Sequence, residues 1–392
     1  MAKKRTRRAA AATVVGPAEP LTPTLPAAHR PPREVTPELF LEWRSPRVGT
    51  ANPERQSNPV WAWLAGCPEL NAWMASRHFH GPSAMTAGPG WCNQRFGQSR
   101  SVLPDGRTVL VAGEHEDYYD PDFYIYNDVM VVDPAGGIEV YGYPHEVFPP
   151  TDFHSATRVD GRLLIVGCLG YPRQRAPGVT PAFALDLADL SITPLATTGE
   201  APGWIFRHAA ELSADQRTIT VRGGERVELV AGEQEIRENI DDWSLDLDRL
   251  AWTRLTARRW PLWELRRADG TPNELMSIRW ASYHVDRTSP FNLQQIQTLE
   301  KQLGWLPDFA VYRDLYAPPV GHARLEDLDD AVGTVRIVVD GVTVRYVEDR
   351  RAVRITIEGA LPSETTAALI EDARRKLSAL ERTAYTAAKL RE

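Results

Sequence analysis

Three cysteines in 392 residues, Cys67, Cys92 and Cys168, are too few and too scattered for a disulfide framework or a zinc-ligand spacing. A reducing, cytoplasmic setting is the expectation that follows. No apolar run approaches the roughly eighteen residues that a membrane helix needs, so no membrane partner is expected. HExxH, a phosphate loop opening a helix and a Ser-His-Asp order are also missing. The glycines of "PAGGIE" at 134–139 belong to a turn between strands. With these signatures absent, what remains is ordinary globular composition, 43% hydrophobic and 25% charged, which can bury a core without staples.

Charge is unevenly spread. Residues 1–34 hold seven Lys/Arg against two Asp/Glu, so the rest of the chain is acidic enough to bring the total to −7. Pro and Ala dominate this start, which reads as a disordered basic arm. Such an arm is the one place where nucleic acid would be expected to touch the chain. Its paired arginines also keep a weak twin-arginine export signal as the alternative to a cytoplasmic location. The acidic body calls for a basic partner.

Residues 35–91 read as a helical, Trp-rich lead-in. Asn58 is a cap with Pro59 at the first helical position, and Leu70, Trp73 and Met74 are spaced as one apolar face. Trp61, Trp63, Trp73 and Trp91 are expected to pack this region rather than bind a ligand.

From residue 92 the texture becomes short alternating strands broken by Gly, Pro and Asp, and three segments share one pattern. "FGQSRSVLPDGRTVLVAGE" leads to "NDVMVVDPAGGIEVY", "DFHSATRVDGRLLIVGC" to "PAFALDLADLSITPL", and "FRHAAELSADQRTITVRGGE" to "IDDWSLDLDRLAWTRL". Gln98, His154 and His208 fall at equivalent points, 56 and 54 residues apart. Gly113, Gly167 and Gly223 close each second strand, and Asp133, Asp186 and Asp246 end each third strand. Asp-centred turns join the first two strands of every unit, a hairpin signal.

This pattern resembles the kelch repeat of β-propellers, with Trp252 in the fourth strand of the third unit. The resemblance covers residues 92–257. It implies a mainly β fold, a kelch-like β-propeller or partial propeller, with the N-terminal helices and a C-terminal α+β attachment beside it. Three units are fewer than the four blades of a closed propeller, so a homodimer pooling six blades is one expectation. His154 and His208 are expected to hydrogen-bond strand ends between blades.

A helical and irregular connector is expected over 258–325, including a helix capped by Ser289 and lined by Leu293, Ile296, Leu299 and Leu303. Residues 326–392 read as a βββα domain. Its strands turn at Asp340-Gly341 and Asp349-Arg350, and Arg336, Arg345 and Arg354 give it a basic exposed face.

The unusual stretch is "GEHEDYYDPDFYIYND", residues 113–128: six carboxylates among five aromatic rings without one Lys or Arg. It connects strands two and three of the first unit, where propeller loops carry function. Glu114, His115, Glu116, Asp117, Tyr118, Tyr119, Asp120, Asp122 and Tyr124 form the candidate binding loop: rigid rings for contact area, carboxylates for a basic protein. The expected function is a non-catalytic protein-binding module, an immunity-type inhibitor or a scaffold, with no cofactor. The alternative is a metal- or carbohydrate-dependent propeller enzyme, with Asp117, Asp120 and Asp122 offering oxygens to Ca²⁺ or another metal. Pro121 and the missing glycine turn depart from calcium-loop grammar.

Overall fold

A computed structural model describes residues 25–115, 121–230, 232–282, 290–318, 320, 324–326 and 333–391. It combines helices with antiparallel sheets, and its contacts divide it into two compact units, Met1–Thr256 and Ala257–Glu392. Most of the expected basic arm, and Ser289, lie outside the described residues.

The first unit starts with short helices whose caps are written in the sequence. Thr36 Oγ1 accepts from Leu39 N before helix Pro37–Trp43, and Asn58 Oδ1 accepts from Trp61 N at 2.7 Å before helix Pro59–Ala65. Asn71 serves helix Ala72–His78 in the same way. These contacts satisfy backbone donors that the helix itself leaves free. Trp61, Trp63, Leu64 and Leu70 are buried and pack on Met130 and Val140 of the sheet that follows. Trp73 departs from the expectation: Ala72 and Ala75 face inward instead, and Trp73 is 54% exposed.

Three four-stranded antiparallel meanders follow. The first is Ser99–Val102, Thr108–Val111, Val129–Val132 and Ile138–Gly142, with Glu54–Arg55 added at its outer edge. The second is Ser155–Val159, Arg162–Val166, Ala182–Asp186 and Ile192–Pro194. The third is Ala209–Leu212, Thr218–Arg222, Trp243–Asp246 and Ala251–Arg254, with Thr198–Gly199 paired in parallel at its edge. Alternation divides the side chains of each sheet between two faces. Val109, Val111, Val129 and Val131 of the first meet Leu163, Ile165 and Leu185 of the second. Leu164 and Val166 on the other face of the second meet Ile219, Val221, Leu245 and Trp252 of the third.

The repeated histidines tie these sheets together. His154 Nε2 is hydrogen-bonded to Ser99 Oγ of the first sheet at 2.8 Å, and His208 Nε2 to Ser155 Oγ of the second at 2.9 Å. Gln98 bonds within its own sheet, Nε2 donating to the Ala112 carbonyl. Gly167 has φ +79°, and a Cβ there would lie 2.3 Å from the Ile205 carbonyl oxygen, so only glycine fits. The third sheet's remaining face carries Glu211, Thr218, Thr220, Arg222, Ser244 and Thr253, none of them buried. An array of stacked sheets can end on such a polar face.

The second unit holds a six-stranded antiparallel sheet in the order Arg324–Glu326, Thr334–Val339, Val342–Asp349, Ala352–Ile357, Leu262–Arg267, Tyr385–Arg391. Helix Ser363–Glu381 packs Leu369, Ala373 and Leu377 on Val344, Tyr346 and Ile355. The expected meander and last helix are present, but the sheet is larger than expected. Leu262–Arg267, read as connector, is its fifth strand, because its pairing with residues 353–356 is distant in sequence and leaves no local signal. The basic face is also corrected. Arg345 pairs with Glu358 and Arg354 with Glu264, so these arginines are neutralised within the unit. In helix Pro290–Leu303 only Leu299 of the expected face is fully buried, while Leu293 is exposed.

Candidate functional site

Each meander sends its connection between strands two and three to the same end of the array. The first two are joined where Ile125 N donates to Tyr171 Oη at 2.9 Å and the Phe123 and Tyr171 rings meet edge-on at 5.8 Å. The second and third are joined by Gln234 Nε2 donating to the Pro172 carbonyl at 3.1 Å. The third connection is itself a hairpin, Glu225–Val230 with Glu233–Glu238, extended by Trp204–Phe206. Three loops far apart in sequence thus form one continuous surface.

Beneath it lies a polar node. Asp128 accepts from Arg95 Nη1 at 2.5 Å, Arg95 Nη2 at 3.0 Å and Trp91 Nε1 at 2.9 Å. The Arg95 side chain is fully buried, and its guanidinium carbon lies 3.4 Å from the Tyr126 ring centroid. Burial alone would lower the Arg95 pKa, but the Asp128 charge and hydrogen bonds hold it above its ordinary value. Tyr126 Oη meets His115 Nδ1 at 2.7 Å and accepts from Cys92 N at 3.2 Å. Burial, assisted by the Arg95 charge, pushes His115 down to about 3, so its imidazole is neutral at physiological pH. Every strong donor and acceptor here except His115 Nε2 faces another protein group. That is how a rigid foundation is built, because a satisfied network fixes one arrangement.

A second node sits between the first and second meanders. Asp152 is fully buried, and its Oδ1 accepts from Gly170 N at 2.6 Å with Cys168 Sγ at 3.5 Å. Burial raises the Asp152 pKa, and bonds from Gly170, Cys168 and Glu114 pull it part of the way back. The Cys168 thiol is pushed well above its usual range by burial and by that neighbouring carboxylate. A thiol held protonated in this way is a weak nucleophile. Neither Asp152 nor Arg95 stands in a motif. Asp152 lies two residues before His154, and the repeat register is the one signal that could have drawn attention to it.

The expected binding loop is therefore divided. Glu116, Asp117, Tyr118, Tyr119 and Asp120 lie outside the described residues. Glu114 and His115 pair with Ile125 and Tyr124 in a two-residue ladder. His115 is turned inward, only 2% exposed, because its ring completes the Tyr126 node. Tyr124 is half-buried against Tyr126, and burial pushes its hydroxyl up to about 12. Asp122 stands in the wall of a cavity of about 160 Å³ with Arg44, Trp73, Ser76 and Arg77. Of the three candidate metal ligands only Asp122 is described, and no group of three or more His, Cys, Asp or Glu converges at metal distance among the described residues. No helix among them is long and apolar enough to cross a membrane.

No family model matches the chain, and no curated protein matches it. Among solved structures, "Structure of YjhT" is similar at 11% identity with a TM-score of 0.25, covering 45% of this chain and 74% of that one. A likeness of that degree carries no argument about activity.

Proposed function

We propose that residues 92–257 are a kelch-like partial propeller of three blades and that the chain is a non-catalytic binding module for a basic protein. The observation that carries this reading is the joining of the three blade connections into one acidic end. Apart from the buried Asp128, the described residues of 113–128, 167–181 and 223–238 hold seven carboxylates against four arginines, two of which, Arg226 and Arg237, pair with Glu228 and Glu235. Complementary charge of this kind steers a basic partner and sets its orientation. The buried nodes below keep the surface rigid, which lowers the ordering cost of binding.

An enzyme would need reacting groups aimed at a shared open space. Arg95, Asp128 and Tyr126 are instead engaged with one another and with their neighbours, and Asp152 Oδ1 with Gly170 N and Cys168 Sγ. A six-blade homodimer gains no support either. The first blade's outer face is covered by helices, and the third blade's is polar, so neither offers an apolar surface to a second copy.

Selection from a displayed random-peptide library on the immobilised full chain tests this reading. The expected binders are rich in Lys and Arg, weaken steeply with salt, and are lost on a Glu228→Lys/Glu233→Lys chain that retains the wild-type melting profile. Binders without a basic bias, or basic binders indifferent to the double substitution, would remove the proposal.

A further inference from the structure

Arg44 is 7% exposed, yet among the described residues no carboxylate is hydrogen-bonded or ion-paired with it. Its Nη1 and Nη2 donate to the carbonyls of Ala87 and Gly88 at 3.1 and 3.0 Å, and its Nε is buried without a partner. Burial depresses its pKa, with no opposing acid to hold it up. The contrast with Arg95 is direct: the more deeply enclosed guanidinium there meets a bidentate carboxylate. A buried cation left with neutral acceptors alone is costly to the fold, and a structural role does not require one.

Arg44 forms part of the wall of the cavity between helices Ala72–His78 and Ala84–Ala87. Its volume is about 160 Å³. Three features meet there. Arg44 supplies an uncompensated positive charge, Asp122 a negative one, and Trp73 an apolar ring. Trp73 is 54% exposed, its ring covered in part by Arg77, whose guanidinium carbon lies 4.7 Å from the centroid. The neighbouring hydroxyls are already committed: Ser76 Oγ donates to the Pro82 carbonyl, and Ser83 Oγ accepts from Met85 N. Recognition therefore falls to Arg44 and the opposed Asp122, beside the Trp73 ring that Arg77 partly covers.

We propose that this cavity binds a small zwitterion, an α-amino acid with an apolar or aromatic side chain. The ligand carboxylate compensates Arg44, the ammonium faces Asp122, and the side chain lies against Trp73. A guanidinium fork suits a carboxylate because two parallel N–H donors match two oxygens. The opposed charges reject ligands bearing only one of them, since the other wall group would be left desolvated and unpaired. This site is separate from the acidic blade end, so it stands or falls independently of the protein-binding reading.

Titration calorimetry on the full chain tests it with L-phenylalanine and L-leucine, beside 3-phenylpropanoate and 2-phenylethylamine, which each lack one charge. The amino acids are expected to bind and both analogues to be weaker by roughly tenfold or more, the scale of one lost charge-assisted hydrogen bond. Asp122→Asn, on an exposed turn, is expected to reduce L-phenylalanine to the affinity of 3-phenylpropanoate. Arg44→Lys keeps the charge but loses the fork, and is expected to weaken both the amino acid and the amine-free acid. Absence of binding by either amino acid at millimolar concentration overturns the proposal. So does equal affinity for 3-phenylpropanoate, or an Asp122→Asn chain that binds L-phenylalanine as wild type does.

Discussion

Replacing Asp128 with Asn removes one negative charge from a site where nothing else offsets Arg95. The Arg95 side chain is fully buried and Asp128 is 6% exposed, so water cannot substitute for the lost partner. Breaking a buried pair from one side costs about 3–5 kcal/mol. Asn keeps one acceptor oxygen and so a bond to Trp91 or to Arg95, which places the expected loss near the lower end, about 3 kcal/mol. Asp241 is the comparison. One of its oxygens, Oδ2, accepts from both Arg254 Nε at 3.1 Å and Nη2 at 2.5 Å, but the arginine side chain is 35% exposed. Solvent screening brings the expected loss for Asp241→Asn down to about 1–2 kcal/mol. Urea unfolding followed by far-ultraviolet circular dichroism gives both values from midpoint shifts at constant slope. A further variant, Arg95→Met with Asp128→Leu, removes both charges and is expected to recover much of the loss. Equal losses for the two Asn variants, or a loss under about 1 kcal/mol for Asp128→Asn, would refute the account of the node as a buried, unscreened pair.

Acid stability follows from the histidines. Burial lowers His154 to about 3 and His208 to about 4, with His115 at about 3, against about 6.5 in an unfolded chain. Below about pH 6.5 the unfolded chain takes up protons that the folded protein does not, so stability present above that pH is lost as pH falls toward 4. Each histidine contributes a slope of about 1.4 kcal/mol per pH unit. His208→Gln, which copies the residue at the equivalent first-blade position, is expected to flatten the pH dependence of the urea midpoint. An unchanged slope counts against the buried neutral state. Gly167→Ala is expected to cost about 3 kcal/mol or more, from the positive φ together with the clash at the Ile205 carbonyl. Gly178→Ala has φ +92° but open space around it, and is expected to cost about 1 kcal/mol by the same melts; equal costs would show that the packing contact adds nothing.

Much of the array of meanders was legible because its signals are local and repeated. Asp133, Asp186 and Asp246 each accept backbone N–H groups of the following turn, as at Ala135, Ala188 and Asp248, so one residue type marks three strand ends. Asn58 with Pro59, and Leu369 with Leu377, are equally local. The candidate site was less legible. The stretch 113–128 reads as one acidic loop, yet it sends His115 and Tyr126 inward, Asp128 to Arg95 and Asp122 to a cavity wall. Those destinations depend on Trp91, Arg95 and Arg44, residues 20 or more positions away that the loop's own pattern does not specify. Trp73 illustrates the same limit: its spacing with Leu70 fits an apolar face, but Ala72 and Ala75 take the buried positions, and at Ala72 the Gly90 backbone comes too close for a larger side chain. Ala72 lies where a Cβ on Gly90 would come within 2.9 Å of it.

The termination of the array is written in a pair of adjacent positions. The three meanders begin Gln98-Ser99, His154-Ser155 and His208-Ala209. A histidine reaches back to the serine of the preceding meander, as His154 does to Ser99 and His208 to Ser155. Among the described residues the first meander has no predecessor, and in place of a histidine it has Gln98, which turns to the Ala112 carbonyl of its own sheet. The third meander has no successor there, and the serine that a successor would need is an exposed alanine, Ala209. The apolar surfaces agree with the hydrogen bonds. The first meander's outer face is buried by Trp61 and its neighbours, and the third meander's is lined by Glu211, Thr220 and Ser244. Within the described residues, then, helices cover one outer face of the array and polar side chains line the other, so hydrogen bonds and side-chain polarity end the array in the same places.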